Sequence, residues 1–128
     1  MAYTINMTAS ARRLLTAALE LQERNEAVAG YLFGLATECA IKAMAQSIQS
    51  LRDDDVLYAH FPVLRTLVRE RLKGRRSAPM LRMVVEHDSF MNDWDITVRY
   101  AVAKEVTTAK VAGWATHAKH VVGLIGTV

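Results

Sequence analysis

One stretch limits the possible folds more than any other: EAVAGYLFGLATECAIKAMAQSIQSL, from Glu26 to Leu51. Its apolar residues cover almost every direction around a helix axis. The only polar stripe is Glu38, Lys42 and Gln46, at steps of four. A helix without a wet face has to be covered on all sides by other elements, so this segment is expected to be the central helix of a bundle. Gly30 and Gly34 stand one turn apart within it. Each costs a helix roughly 1 kcal/mol relative to alanine, and the pair therefore points to close approach by another helix.

The rest of the chain supplies the cover. TASARRLLTAALELQER places Leu14, Ala18 and Leu21 on one stripe with Leu15 and Leu19 beside it, and Thr8 or Ser10 is the expected cap. Asn25 reads as a break and a second cap. Pro62 suits the first turn of PVLRTLVRERLKG, whose stripe is Val63/Leu64, Leu67/Val68 and Leu72, with Gly74 at its end. Ser77 and Pro79 announce another start in SAPMLRMVVEHDSFM. The last helix carries Val111, Trp114, Ala118, Val121 and Ile125 at helical spacing. Between these two, Trp94, Ile96, Val98 and Tyr100 alternate as a strand would. No partner strand exists for them, and a lone strand cannot satisfy its own backbone groups, so the segment is read as extended chain, or the lead-in to a helix, lying against the bundle. At 128 residues the chain is one domain, 1–128. The fold expected is all-α, an antiparallel bundle of four to five helices.

Charge and composition narrow the functional classes. A net charge of +3 permits an anionic partner without demanding one. The single cysteine, Cys39, excludes an intramolecular disulfide and reads as a small buried apolar residue. Glu38, Lys42 and Gln46 interrupt the most apolar stretch, so no run approaches the ~18 residues of a membrane span. MAYTINMTASARR lacks the pattern of a signal peptide. A soluble, cytoplasmic chain with no membrane partner is expected.

Positive charge concentrates in RTLVRERLKGRRSAPMLR, where Arg69, Lys73, Arg75, Arg76 and Arg82 form a candidate nucleic-acid surface. The stretch lacks interleaved aromatics, so base stacking on it is not indicated. The competing reading is a solvated helix end, whose dipole also favours cations. Asp53 to Asp55 read as a solvated loop. His117 and His120, three residues apart, have no carboxylate or cysteine nearby in sequence and read as surface histidines. No metal site, cofactor loop or nucleophile elbow is present in the sequence, and no cofactor is expected.

Four pieces taken in order resemble the HEPN superfamily of small helical domains. AGYLFGLATECAIKAM is similar to that family's second helix, an aliphatic run ending in Glu-x-x-x-Lys, here Glu38 and Lys42. HFPVLRTL resembles the opening of its third helix, WDITVRYA its aromatic-to-Arg-Tyr motif, and the last helix its closing apolar pattern. The resemblance spans most of the chain. It implies a homodimer and RNA-directed work. In many members that work is metal-independent RNA cleavage by toxins or antiviral effectors, through an arginine followed four to six residues later by a histidine in a dimer cleft. Arginine would stabilise charge on the phosphate and histidine would move the proton of the attacking hydroxyl.

The chain departs from that signature. From Arg99 the count gives Tyr, Ala, Val, Ala, then Lys104 and Glu105, with no histidine. A literal match, Arg82 to His87, lies in the preceding segment, and five helical steps place those side chains about 140° apart. The candidate catalytic pair is therefore Arg99 with His60. A polar cluster of Glu38, Lys42, Tyr100 and Lys104 is expected around it, in which Glu38 offsets a buried Arg99. Two readings stay open. One is an HEPN-like RNA- or nucleotide-binding protein in a defence or toxin–antitoxin setting, with ribonuclease activity undecided. The other is a non-catalytic module for dimerisation or for binding a partner protein.

Overall fold

The computed structural model describes residues 2–127, all of them helical or irregular. Six α-helices follow one another: α1 (Met7–Leu21), α2 (Glu26–Ala45), α3 (Asp54–Leu57), α4 (Val63–Leu72), α5 (Pro79–Glu86) and α6 (Thr108–Gly123). Short 3-10 turns occupy Gln49–Leu51, Ile96–Tyr100 and Ala103–Glu105. The all-α bundle expected from the sequence is present. Five helices have eight residues or more, and the sixth, α3, is a single turn in what reads as a polar connection.

α2 is the hub. Phe33, Ala36, Ala40 and Ile41 are fully buried in it, with Met44 nearly so. α1 and α6 pack against it most extensively. By length and composition α2 could cross a membrane, yet two-thirds of its apolar window (67%) lies inside the bundle. α1 presents Ala11 and Ala18 to the core, while Leu14, Leu15 and Leu21 are half-buried and Leu19 faces outward. Its cap is Asn6, which accepts the Ala9 N–H at 2.9 Å, rather than Thr8 or Ser10, which lie within the helix itself. Asn25 caps α2 as expected, accepting from Val28.

The α4 stripe is Leu64, Val68 and Leu72, all fully buried. Gly74 follows with φ +73°, a left-handed position that favours glycine. α5 buries Leu81 and Val85. Arg65 of α4 reaches the far end of α5 and donates to the Val85 and His87 carbonyls at 2.9 and 2.8 Å. A cation there meets the negative end of the helix and satisfies carbonyls the helix leaves unpaired.

The two glycines of α2 serve different partners. Gly30 faces α6: a Cβ there would lie 3.0 Å from the Trp114 ring and 3.1 Å from Val111. Gly34 receives no helix at all. It receives the indole of Trp94, which occupies the place a side chain would take.

Candidate functional site

Two polar side chains of α2 that the sequence places on one stripe part company in space. Glu38 is 2% exposed. One carboxylate oxygen takes the His60 Nδ1 contact at 2.7 Å, and the other accepts the Phe61 N–H at 2.7 Å. The α3–α4 connection is thereby fastened to the middle of the core helix. Burial raises the Glu38 pKa above its ordinary value, and the contacts to His60, to the Phe61 amide and to Lys42 pull it partly back. The His60 side chain is 46% exposed, so the imidazole is oriented by a buried carboxylate at one edge and open to solvent over much of its surface. Such a pair can hold or pass a proton.

Lys42, one turn along and 7% exposed, forms no ion pair with Glu38 within 4.0 Å and makes no hydrogen bond among the described residues. Its pKa is lowered, chiefly by burial, with Glu38 acting in the opposite sense.

Arg99 is not part of this cluster. It is exposed, on the 3-10 turn Ile96–Tyr100, with its guanidinium carbon 5.8 Å from the Tyr31 ring centre and 5.6 Å from that of Tyr100. Tyr31 precedes Glu38 by two turns of α2, about 10 Å along the axis. The candidate catalytic pair Arg99 and His60 is thus attached to positions two turns apart on the core helix. Tyr100 is 79% exposed and Lys104 is exposed on the next turn, so neither joins Glu38 and Lys42. The physical reason is Trp94. Its burial fixes where this segment meets α2, and the tight turns that follow carry Arg99, Tyr100 and Lys104 outward. Arg99→Ala is therefore expected to lower stability by no more than about 1 kcal/mol, the scale of an exposed cation–π contact. Chemical denaturation of the variant measures this, and a loss near 3 kcal/mol would restore a buried role for the arginine.

The connection from α5 to α6 is fixed by side chains bonding to backbone. Trp94 donates its indole N–H to the Gly30 carbonyl at 3.0 Å, across 64 residues of sequence. Trp114 donates to Asn92 at 2.9 Å, and His117 Nδ1 accepts the Met91 N–H at 3.1 Å. These bonds hold a bend in which Met91 and Asp93 have left-handed φ of 51° and 67°, conformations costly for residues with a Cβ. Trp94 stacks near Tyr31 and meets Phe61 edge-on, and Phe61 meets Phe90 in the same way. His117 is consequently half-buried rather than a surface residue, and burial lowers its pKa, helped by His87 and His120. His120 is exposed as expected.

The basic stretch divides by task. Arg65 caps α5, and Arg71 pairs with Asp53 and Asp55. Asp53 is no plain solvated residue, since it also caps α3 by accepting from Val56. Arg82 binds the Arg75 carbonyl and lies 3.9 Å from Glu86. The sequence match from Arg82 to His87 does not converge, because His87 turns to Ser89. Arg69 is 3.8 Å from Glu70 at the surface. Lys73, Arg75 and Arg76 are left, exposed on the α4–α5 loop with no carboxylate partner among the described residues.

No group of three or more histidine, cysteine or acidic side chains among the described residues could hold a metal. No family model, curated protein or solved structure matches the chain.

Proposed function

We propose that this chain is an RNA-binding helical domain that holds the phosphate backbone with Lys73, Arg75 and Arg76, with Arg69 and Arg82 at the margin. The observation that carries the reading is the contrast within the basic region. Arg65 and Arg71 are spent on the fold, and Arg82 is partly so, whereas three neighbouring cations on one loop have no anionic partner among the described residues. Unpaired cations on an exposed loop suit a polyanion that releases counterions on binding. The resemblance to the HEPN superfamily adds a homodimer working on RNA in a defence or toxin–antitoxin setting. The separation of Arg99 from His60 favours binding without cleavage by that pair.

The triple charge reversal K73E/R75E/R76E is expected to weaken binding of a single-stranded RNA oligonucleotide at least tenfold at moderate salt. It should also flatten the slope of log affinity against log salt by about 2, three phosphate contacts at about 0.7 each. Fluorescence anisotropy over a salt series reads both, and an unchanged slope would remove the loop from the interface.

A second reading, a dimerisation or protein-interaction module, draws on a different surface. Met80 and Met83 are exposed beside a mainly apolar groove of about 470 Å³ between α5 and α6. If the unmodified protein binds no RNA in the same titration, this reading takes precedence.

A further inference from the structure

We infer that Lys42 is the anchor of a binding site for a small aliphatic carboxylate, in the cavity between the end of α2 and α3. The cavity is about 230 Å³ and its lining is mainly apolar, with Ala45, Leu51, Val56 and Leu57 forming the wall. Lys42 lines it and is more than nine-tenths buried. The amine has no acceptor among the described residues, because both oxygens of the nearest acidic neighbour in sequence, Glu38, face His60 and Phe61. The stem of Lys42 is held by its neighbours while its ammonium keeps solvent contact, and an anion entering the cavity would replace that water with a charge-assisted hydrogen bond.

Lys42 is the enclosed cation of this lining, and no carboxylate of the described residues lies within 4.0 Å of its ammonium. Asp53 is engaged by Arg71 and by the Val56 amide. Arg52 and Asp54, exposed and of opposite charge, also line the cavity, and Gln46 adds a neutral amide. One cation at the end of an apolar wall selects a ligand with one negative head and a short hydrocarbon tail. A bare divalent oxyanion would leave the wall unused, and an amine would meet Lys42 as a like charge. The site shares no residue with the Lys73–Arg76 loop and stands independently of the RNA reading.

The probe is sodium butyrate, compared with sodium chloride and n-butylammonium chloride at equal ionic strength. At about tenfold over the dissociation constant, butyrate is expected to raise the melting temperature of the unmodified protein by about 4 °C. The other two salts should not do so, and Lys42→Met, which keeps the unbranched stem of the side chain and removes its charge, should not respond to butyrate. Equal rises with butylammonium, an equal response in the variant, or no rise in the unmodified protein overturns the assignment. If the variant does not fold, the ¹³Cε resonance of Lys42 in the unmodified chain decides. Binding of the anion to the ammonium form moves its titration midpoint upward in butyrate, and a midpoint that stays put overturns the site.

Discussion

Gly34→Ala is expected to destabilise the protein by about 2–3 kcal/mol, despite replacing a poor helix former with the best one. The added Cβ would lie 1.7 Å from Trp94 Cε2 and 2.1 Å from its Nε1, far inside contact distance. Neither side can yield cheaply. The α2 backbone is held on both flanks by α1 and α6, and the indole is tied to the Gly30 carbonyl and wedged against Phe61. Trp94 would have to leave its place, forfeiting burial worth about 3–5 kcal/mol when an aromatic is truncated, partly offset by the roughly 1 kcal/mol gained in helix propensity. The distinguishing result is a reversal of sign. In a Trp94→Ala background the clash is gone, so Gly34→Ala should stabilise by up to about 1 kcal/mol. Urea denaturation of the four proteins in that cycle, followed by circular dichroism, gives the coupling directly. Additive effects would mean that the indole does not sit on Gly34. Gly30→Ala is expected to be milder, since its nearest contacts are 3.0–3.2 Å and an aromatic edge can shift by tenths of an ångström.

Glu38→Ala is expected to cost about 3 kcal/mol, because it leaves the buried Phe61 N–H unsatisfied and frees the imidazole of His60. Glu38→Gln should cost far less. Its amide oxygen can accept from Phe61 while its amide nitrogen donates to His60 Nδ1. The unmodified protein and Glu38→Gln should also differ in their response to pH. Glu38 has a raised pKa in the folded state, with burial as the main cause. Its own contribution to stability is therefore full below the ordinary value of 4.5 and is lost as pH rises through the raised folded value. The stability of the unmodified protein relative to Glu38→Gln should thus be greatest in acid and decline toward neutrality. Denaturation midpoints of both proteins across that range test it, and a difference that grows with pH would mean that burial does not govern this carboxylate.

Much of the fold can be read from local pattern. α2 is conspicuous because a helix with no wet face has only one place to go, and the stripe Leu64, Val68, Leu72 marks the buried side of α4 without ambiguity. Asn25 starts α2 and Gly74 follows the end of α4 for the chemical reasons their residue types suggest. What pattern cannot carry is a partner far along the chain. Arg99 and Glu38 looked matched because a buried arginine needs a carboxylate, but Arg99 is not buried, and its aromatic partner Tyr31 lies 68 positions away. The alternation from Trp94 to Tyr100 imitates a strand, while the Asp95 side chain caps a 3-10 turn there by accepting the Thr97 N–H. Gly34 announced a close approach yet could not say whether a helix or a single indole would make it. His117 reads as a surface residue on its own helix, and only the fold of residues 87–95 covers it. Of the expected polar cluster, Glu38 with His60 is the part that comes together, through a short-range stripe and one loop contact. Lys42 is buried nearby but faces elsewhere.

The seating of both tryptophans against one turn of α2 has a spectroscopic consequence. Trp94 and Trp114 are 2% and 3% exposed, each with its indole N–H bonded to a carbonyl, and they are the only two in the chain. The intrinsic emission of the native protein should be shifted to the blue and should report on a single seam, the one where the α5–α6 connection and α6 meet the core helix. Events confined to the Lys73–Arg76 loop would leave that emission untouched. Detachment of the connection alone would redden it while the helical circular dichroism persists. Comparing the two signals during gradual unfolding separates opening of the seam from loss of the bundle without any added label.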